Sequence, residues 1–152
     1  MDTKTRKYQR IIEQIKDLLM ANGDPIAQMA TINAVLYHKM PDFFWVGFYL
    51  LKKGRLIVGP YQGPLACQEL EKNKGVCWAA INRQETIIVP DVNKFPGHIA
   101  CNENSKSEIV IPLKNTNNEV IGAFDVDSKL YNYFDKTDAK ELAKILAMLK
   151  IR

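Results

Sequence analysis

The sequence contains no basic tract longer than the pair Lys52-Lys53, and its 21 basic residues exceed its 17 acidic ones by only four. That mild surplus gives no support to a nucleic-acid partner. No hydrophobic run is long enough to cross a bilayer: the longest, Phe43 to Leu51, falls well short of the ~20 residues a spanning helix needs. Met1 to Arg10 is polar and charged where a signal peptide would carry an apolar stretch, so a cytoplasmic location is expected. Internal repeats and low-complexity segments are absent. Closely spaced cysteine pairs are absent too. The three cysteines, Cys67, Cys77 and Cys101, are separated by ten and twenty-four residues, whereas structural zinc sites favour two to four. No metal is therefore expected. An odd count leaves at least one thiol unpaired, and in a reducing compartment all three rest as thiols unless they do redox or metal chemistry. What remains is ordinary globular composition, 47% hydrophobic and 25% charged over 152 residues. That predicts one domain over residues 1–152, large enough to fold around its own core.

Tyr8, Ile11, Ile12, Ile15, Leu18 and Leu19 recur at helical spacing and predict an amphipathic helix from about Lys4 to Ala21. Asn22-Gly23 ends it. Asp24 then caps a second helix with Pro25 in its first turn, burying Ile26, Met29, Ala30 and Leu36 and stopping before Pro41. The aromatic and β-branched run Phe43 to Leu51 predicts a strand, Lys52-Lys53-Gly54 a turn, and Arg55 to Gly59 a second strand. Gly75 to Arg83 predicts a short helix and Thr86 to Val89 a short strand ended by Pro90. Asp91 to Ser105 is a loop of about fifteen residues, a length usually functional inside a compact domain. Two strands follow, Lys106 to Lys114 and Glu119 to Asp127, and Asp135 caps a last helix carrying Leu142, Ile145, Leu146 and Leu149. Helices at both ends of a hairpin-connected middle indicate an α+β fold. A central antiparallel sheet carries the terminal helices on one face and the loops on the other.

The last hairpin can be read by register. With Asn115 opposite Asn118, Ile109 faces Phe124, Ile111 faces Gly122 and Leu113 faces Val120, forming an apolar face. On the other face Glu108 pairs with Asp125, Val110 with Ala123 and Pro112 with Ile121, while Asp127 lies diagonally from Glu108. Solvated strand ends, a partner in Lys106, or a turn at Asp127-Ser128 would each explain one acid. Three acids together point to a site, because they call for a bound cation or a raised pKa. An ammonium group meets the first need; a protonated carboxyl that donates a proton meets the second.

Cys101 enters that acidic strand from the long loop, seven residues before Glu108, and the intervening chain can fold back over the acids. A loop thiol is a better reactive candidate than a core one. His98 could lower its pKa or simply hydrogen-bond to backbone. Cys67 lies in a second Pro/Gly-rich loop, 34 residues earlier, and could meet Cys101 as one of an attacking and resolving pair. Cys77, between Val76 and Trp78 in the short helix, reads as buried. Trp45 and Tyr49 project to one side of their strand, either as core or as the walls of an apolar slot for a methyl or thioether group.

Trp-Val-Gly-Phe-Tyr (45–49), Gly-Pro-Tyr-Gln-Gly (59–63), Ala-Cys (66–67), Gly-Val-Cys (75–77), Pro-Asp-Val (90–92), Phe-Pro-Gly-His-Ile-Ala-Cys (95–101), Ser-Glu-Ile-Val-Ile-Pro (107–112) and Asp-Val-Asp-Ser (125–128) occur in this order. Together they resemble the free methionine-(R)-sulfoxide reductases, single GAF-domain enzymes, over nearly the whole chain. The resemblance implies that Cys101 is the catalytic thiol, that Cys67 resolves it and that Cys77 is an auxiliary or alternative partner. It further implies that Trp45 and Tyr49 contact the methyl end of the substrate, and that Glu108, Asp125 and Asp127 bind its ammonium and sulfoxide groups. Backbone N–H groups near Ile99 and Ala100 would hold its carboxylate. A thioredoxin-type reductant, no cofactor, a homodimer and a role in oxidative stress are implied as well. One departure is Trp78, where the family pattern calls for a small residue.

Two other classes remain open on these residues. A GAF ligand sensor would bind a small molecule without chemistry, though it is normally joined to an output domain and none is expected after the last helix; the Cys-His dipeptide of bilin attachment is missing. A redox switch would oxidise Cys67 and Cys101 with peroxide, leaving the acids incidental.

Overall fold

The computed structural model describes residues 2–19, 21, 23–98 and 101–152. Helix α1 (Thr3–Leu18) starts at Asp2, whose carboxylate accepts the Thr5 N–H at 2.7 Å, and it buries Tyr8, Ile11, Ile12 and Ile15. It ends before the expected Ala21: its buried stripe finishes at Ile15, Leu18 is already half exposed, and the chain turns extended at Leu19. Helix α2 (Pro25–Lys39) begins as expected, with the Asp24 carboxylate accepting from Ile26 and Ala27.

Six strands form one antiparallel sheet: β1 (Trp45–Lys52), β2 (Arg55–Gln62), β3 (Glu69–Leu70), β4 (Ile87–Val89), β5 (Ser107–Lys114) and β6 (Val120–Ser128), in the order β3-β2-β1-β6-β5-β4. β1 starts two residues later than its apolar run, because the Phe43 N–H bonds back to the Met40 carbonyl and its ring joins the helical core. β2 extends past Gly59 to Gln62, where it still has β1 to pair with. β3, too short to carry a pattern, was not anticipated. Helix α3 (Gly75–Arg83) follows β3, a single 3-10 turn (Val92–Lys94) interrupts the long loop, and α4 (Lys136–Leu146) follows β6, with Leu149 buried just beyond its end.

The β5–β6 register differs from the expected one by two residues. Asn115 closes the hairpin against Glu119, not Asn118, because Asn118 takes a left-handed conformation (φ 62°) and the Asn115 side chain accepts the N–H groups of Asn117 and Glu119. A bulge between Leu113 and Lys114 adds the second step. Ile111 therefore faces Phe124, Leu113 faces Gly122, and Glu108 faces Asp127 directly while Asp125 faces Val110. Since side chains alternate with a period of two, the shift changes partners and leaves both faces intact.

Helices α1, α2 and α4 cover one face, packing on Val46, Phe48, Ile109, Ile111, Phe124 and Val126. α3 and the loops cover the other, over Trp45, Tyr49, Val110 and Ala123. The terminal helices are tied by Asp138, which is fully buried. Its carboxylate accepts from the Tyr8 hydroxyl at 2.6 Å, from Lys4 Nζ, and from the Asp135 N–H at 2.9 Å, completing a capping box on α4. Removing it strands the buried Tyr8 hydroxyl and takes from Lys4 its shortest ion pair. Asp138→Ala is expected to lower the unfolding free energy by about 3 kcal/mol, and Tyr8→Phe by about 1 kcal/mol, both read by urea denaturation.

Candidate active site

On the face under α3, the neighbouring strands bring the candidate residues together in rows. Trp45 stands opposite Asp127, Gly47 opposite Asp125 and Tyr49 opposite Ala123 across β1 and β6. Across β5, Glu108 stands opposite Asp127. All three acids line one cavity with Trp45, Tyr49, Cys77 and Cys101. Glu108 and Asp125 are each 6% exposed. Burial, then the charges of Asp125 and Asp127, raise the Glu108 pKa well above its ordinary value. Burial, then the charge of Asp125, does the same to Asp127. Asp125 is pushed up only to about 6, burial being partly offset by hydrogen bonding to Glu108 and Cys77. The cluster thus favours the protonated form more strongly than free carboxyls do. Lys106 does not neutralise it: its ammonium lies 5.8 Å from the centre of the Tyr131 ring instead.

Cys77, third residue of α3, is buried as expected. Burial, then the charges of Asp125, Glu108 and Asp127, raise its thiol pKa, so it rests protonated. Its sulfur and one oxygen each of Glu108 and Asp125 lie within 4.8 Å of one another, a three-donor cluster of a size that a cation could enter. One Asp125 oxygen is buried with no hydrogen-bond partner, leaving an acceptor turned to the needs of a ligand.

The Trp45 ring stacks between Tyr49, 5.7 Å away, and Tyr61, 5.2 Å away. This wall requires Gly47, because a Cβ there would sit 2.4 Å from Tyr61 Cβ and 2.5 Å from the Trp45 ring. Trp78 is buried, and its indole N–H donates to the Leu70 carbonyl at 3.2 Å. The bulky departure from the family pattern therefore packs against β3 and away from Cys101.

Cys67 and Cys101 form a disulfide with their Cα atoms 5.6 Å apart, within the ordinary range. Cys101 is exposed at the cavity mouth and Cys67 is half-buried. His98 also lines the cavity, and burial lowers its pKa, favouring the neutral ring. Ile99 and Ala100 lie outside the described residues. Several lining residues were not singled out in the sequence, among them Phe44, Leu70, Lys74, Asn102 and Ser105. Ser105 is the most informative, since its side chain is buried beside the acids and its hydroxyl partly offsets the upward shift of Asp127; its place just before the acidic strand was the available signal. Among the described residues, no helix is long and apolar enough to cross a membrane.

The family model of the GAF domain matches residues 30–149. GAF domain-containing protein A of Dictyostelium discoideum is 47% identical, covering 97% of this chain and 92% of its own length. Free methionine-R-sulfoxide reductase of Escherichia coli is 37% identical, covering 97% of this chain and 88% of its own. The X-ray structure of free methionine-R-sulfoxide reductase from Neisseria meningitidis in complex with its substrate superposes with a TM-score of 0.91 at 38% identity, over 99% of this chain and 90% of that one. With strand order, thiol pair and acid cluster on one cavity, the chain belongs to the GAF-domain family and, within it, to the free methionine-R-sulfoxide reductases.

Proposed function

We propose that this enzyme reduces free L-methionine (R)-S-oxide with Cys101 as nucleophile, Cys67 as resolving thiol and the acid cluster as substrate anchor and proton source. The observation that carries this reading is the disulfide at the mouth of a cavity floored by carboxyls whose pKa values burial raises. The substrate's ammonium is the cation that Asp125 and its neighbours call for, and its methyl-sulfur end suits the Trp45–Tyr49 wall. Backbone N–H groups near Ile99 and Ala100 are assigned to its carboxylate.

The Cys101 thiolate attacks the sulfoxide sulfur while a cluster carboxyl, best Glu108, protonates the sulfoxide oxygen. The substrate S–O bond then breaks as the hydroxyl passes to the Cys101 sulfur, so methionine leaves reduced by two electrons and Cys101 is left as a sulfenic acid. Cys67 attacks the Cys101 sulfur and expels water as the disulfide forms. A thioredoxin-type dithiol then restores both thiols. Cys77 is an auxiliary thiol, its raised pKa making it slower than Cys67 at neutral pH. A cytoplasmic location, a homodimer and protection against oxidative stress complete the proposal.

Turnover of the separated epimers with dithiothreitol tests the activity. Loss of the R epimer with the S epimer untouched is expected, and Cys101→Ser is expected to retain less than about one-thousandth of the rate. Consumption of neither epimer by the purified protein would defeat the reading.

The buried acids also make a signed prediction about pH. Their pKa values are raised on folding, so between about pH 4 and the raised values the folded chain binds more protons than the unfolded one. Their contribution to stability is complete below the unfolded values and falls as pH rises through the folded ones, Asp125 at about 6 among them. The thermal midpoint of the ligand-free enzyme is expected to decline from pH 5 to pH 8, and less steeply in Glu108→Gln. The same variant is expected to lose at least about tenfold in kcat.

A further inference from the structure

Trp45 and Tyr49 wall the cavity with their ring faces, but their polar tips are engaged elsewhere. The Tyr49 hydroxyl donates to the Cys67 carbonyl at 3.2 Å, and the Trp45 indole N–H donates to the Pro64 carbonyl at 3.1 Å. Both carbonyls belong to the 63–67 loop that ends in the resolving cysteine. The entry to that loop is equally tight. Gly63 has φ 127°, and a Cβ on it would stand 2.7 Å from the Phe44 carbonyl oxygen and 3.1 Å from Trp45. Two hydrogen bonds therefore fasten one short loop to β1, both from side chains already committed to the cavity wall, and Gly63 lets the loop's entry approach closely beside them.

We propose that Trp45 and Tyr49 are positioning residues for Cys67, their polar tips holding the 63–67 loop against β1 so that the resolving thiol stays within reach of Cys101. The inference rests on the reductase reading above and concerns its second step. In that step the Cys67 sulfur bonds to the Cys101 sulfenyl sulfur, the S–O bond breaks, and hydroxide leaves with the Cys67 proton as water. No outside oxidant takes part. The rate of such an intramolecular attack depends on how often the two sulfurs approach in line, which is a property of the loop. Exposed loops drift when unpinned, and Leu65 at the middle of this one is 86% exposed. Leu65 does not anchor the loop; Ala66 and Cys67 pack partly against the core, and the aromatic tips add the directional hydrogen bonds.

The test is a single turnover of reduced enzyme with one equivalent of methionine (R)-sulfoxide and no reductant, with methionine and disulfide quantified separately after rapid quenching. In the unaltered enzyme the disulfide follows methionine closely. Tyr49→Phe keeps the ring and removes the donor. It is expected to slow disulfide formation relative to methionine formation by roughly fivefold, the scale of one lost hydrogen bond. Dimedone is expected to label Cys101 in the interval. Gly63→Ala displaces the same loop while keeping the Tyr49 side chain unchanged, and should give the same lag if Tyr49→Phe fails to fold. A disulfide rate unchanged in both variants overturns the inference. So does a fall in disulfide formation no greater than the fall in methionine formation, since the hydroxyl would then act on substrate. Failure of the unaltered enzyme to release any methionine would instead overturn the reductase reading.

Discussion

Three carboxyl groups withdrawn from water at neighbouring positions of one sheet face cannot all be ionised, and the rest of the site is arranged around that constraint. Glu108 and Asp127 sit on adjacent strands in direct opposition, and Asp125 is one pleat away. Covering them with α3, whose Cys77 comes within 4.8 Å of two of them, removes the solvent that would have screened their repulsion. What is left is a pocket whose acidic floor favours the protonated form, with Lys74 on its lining as well. A bound ammonium supplies a positive charge to the acids, and a reaction that needs a proton delivered to oxygen finds one in place.

The two thiol environments divide along the same line. Cys77 is held deep beside the acids, where burial and negative neighbours keep it protonated. Cys67 and Cys101 come from loops at the rim, beyond the most desolvated part of the cavity, and Cys101 is open to solvent. A reactive thiol has to be near the proton source without sharing its electrostatic penalty. Placing it on a loop above the acidic floor satisfies both demands.

Much of this was legible in the sequence because its signals are local. The Asp24-Pro25 cap, the Gly75 start of α3 and the apolar stripe of α1 announce their elements through short-range physics. Strand alternation alone put Glu108, Asp125 and Asp127 on one face. Other features depend on contacts that no local pattern encodes. β3 is two residues long and exists because β2 offers an edge. Asp138 looks like an ordinary first-turn acid until Tyr8 and Lys4, over 120 residues earlier, are seen to converge on it. The Gly47 requirement is similar, since its cause is the Tyr61 side chain on the next strand. The pairing of Cys67 with Cys101 was open on spacing and was narrowed only by family resemblance.

The β5–β6 hairpin carries two irregularities, the extra turn residue at Asn118 and the bulge at Leu113/Lys114. Each alone is a frameshift of the pleat, and together they restore the frame. Either one removed singly would rotate part of β6 by half a period, carrying Asp125 and Asp127 under the helices and Phe124 and Val126 into the cavity. The two irregularities therefore act as a unit. Insertions and deletions between Leu113 and Gly122 are tolerable in pairs, and the acids at its far end preserve that parity.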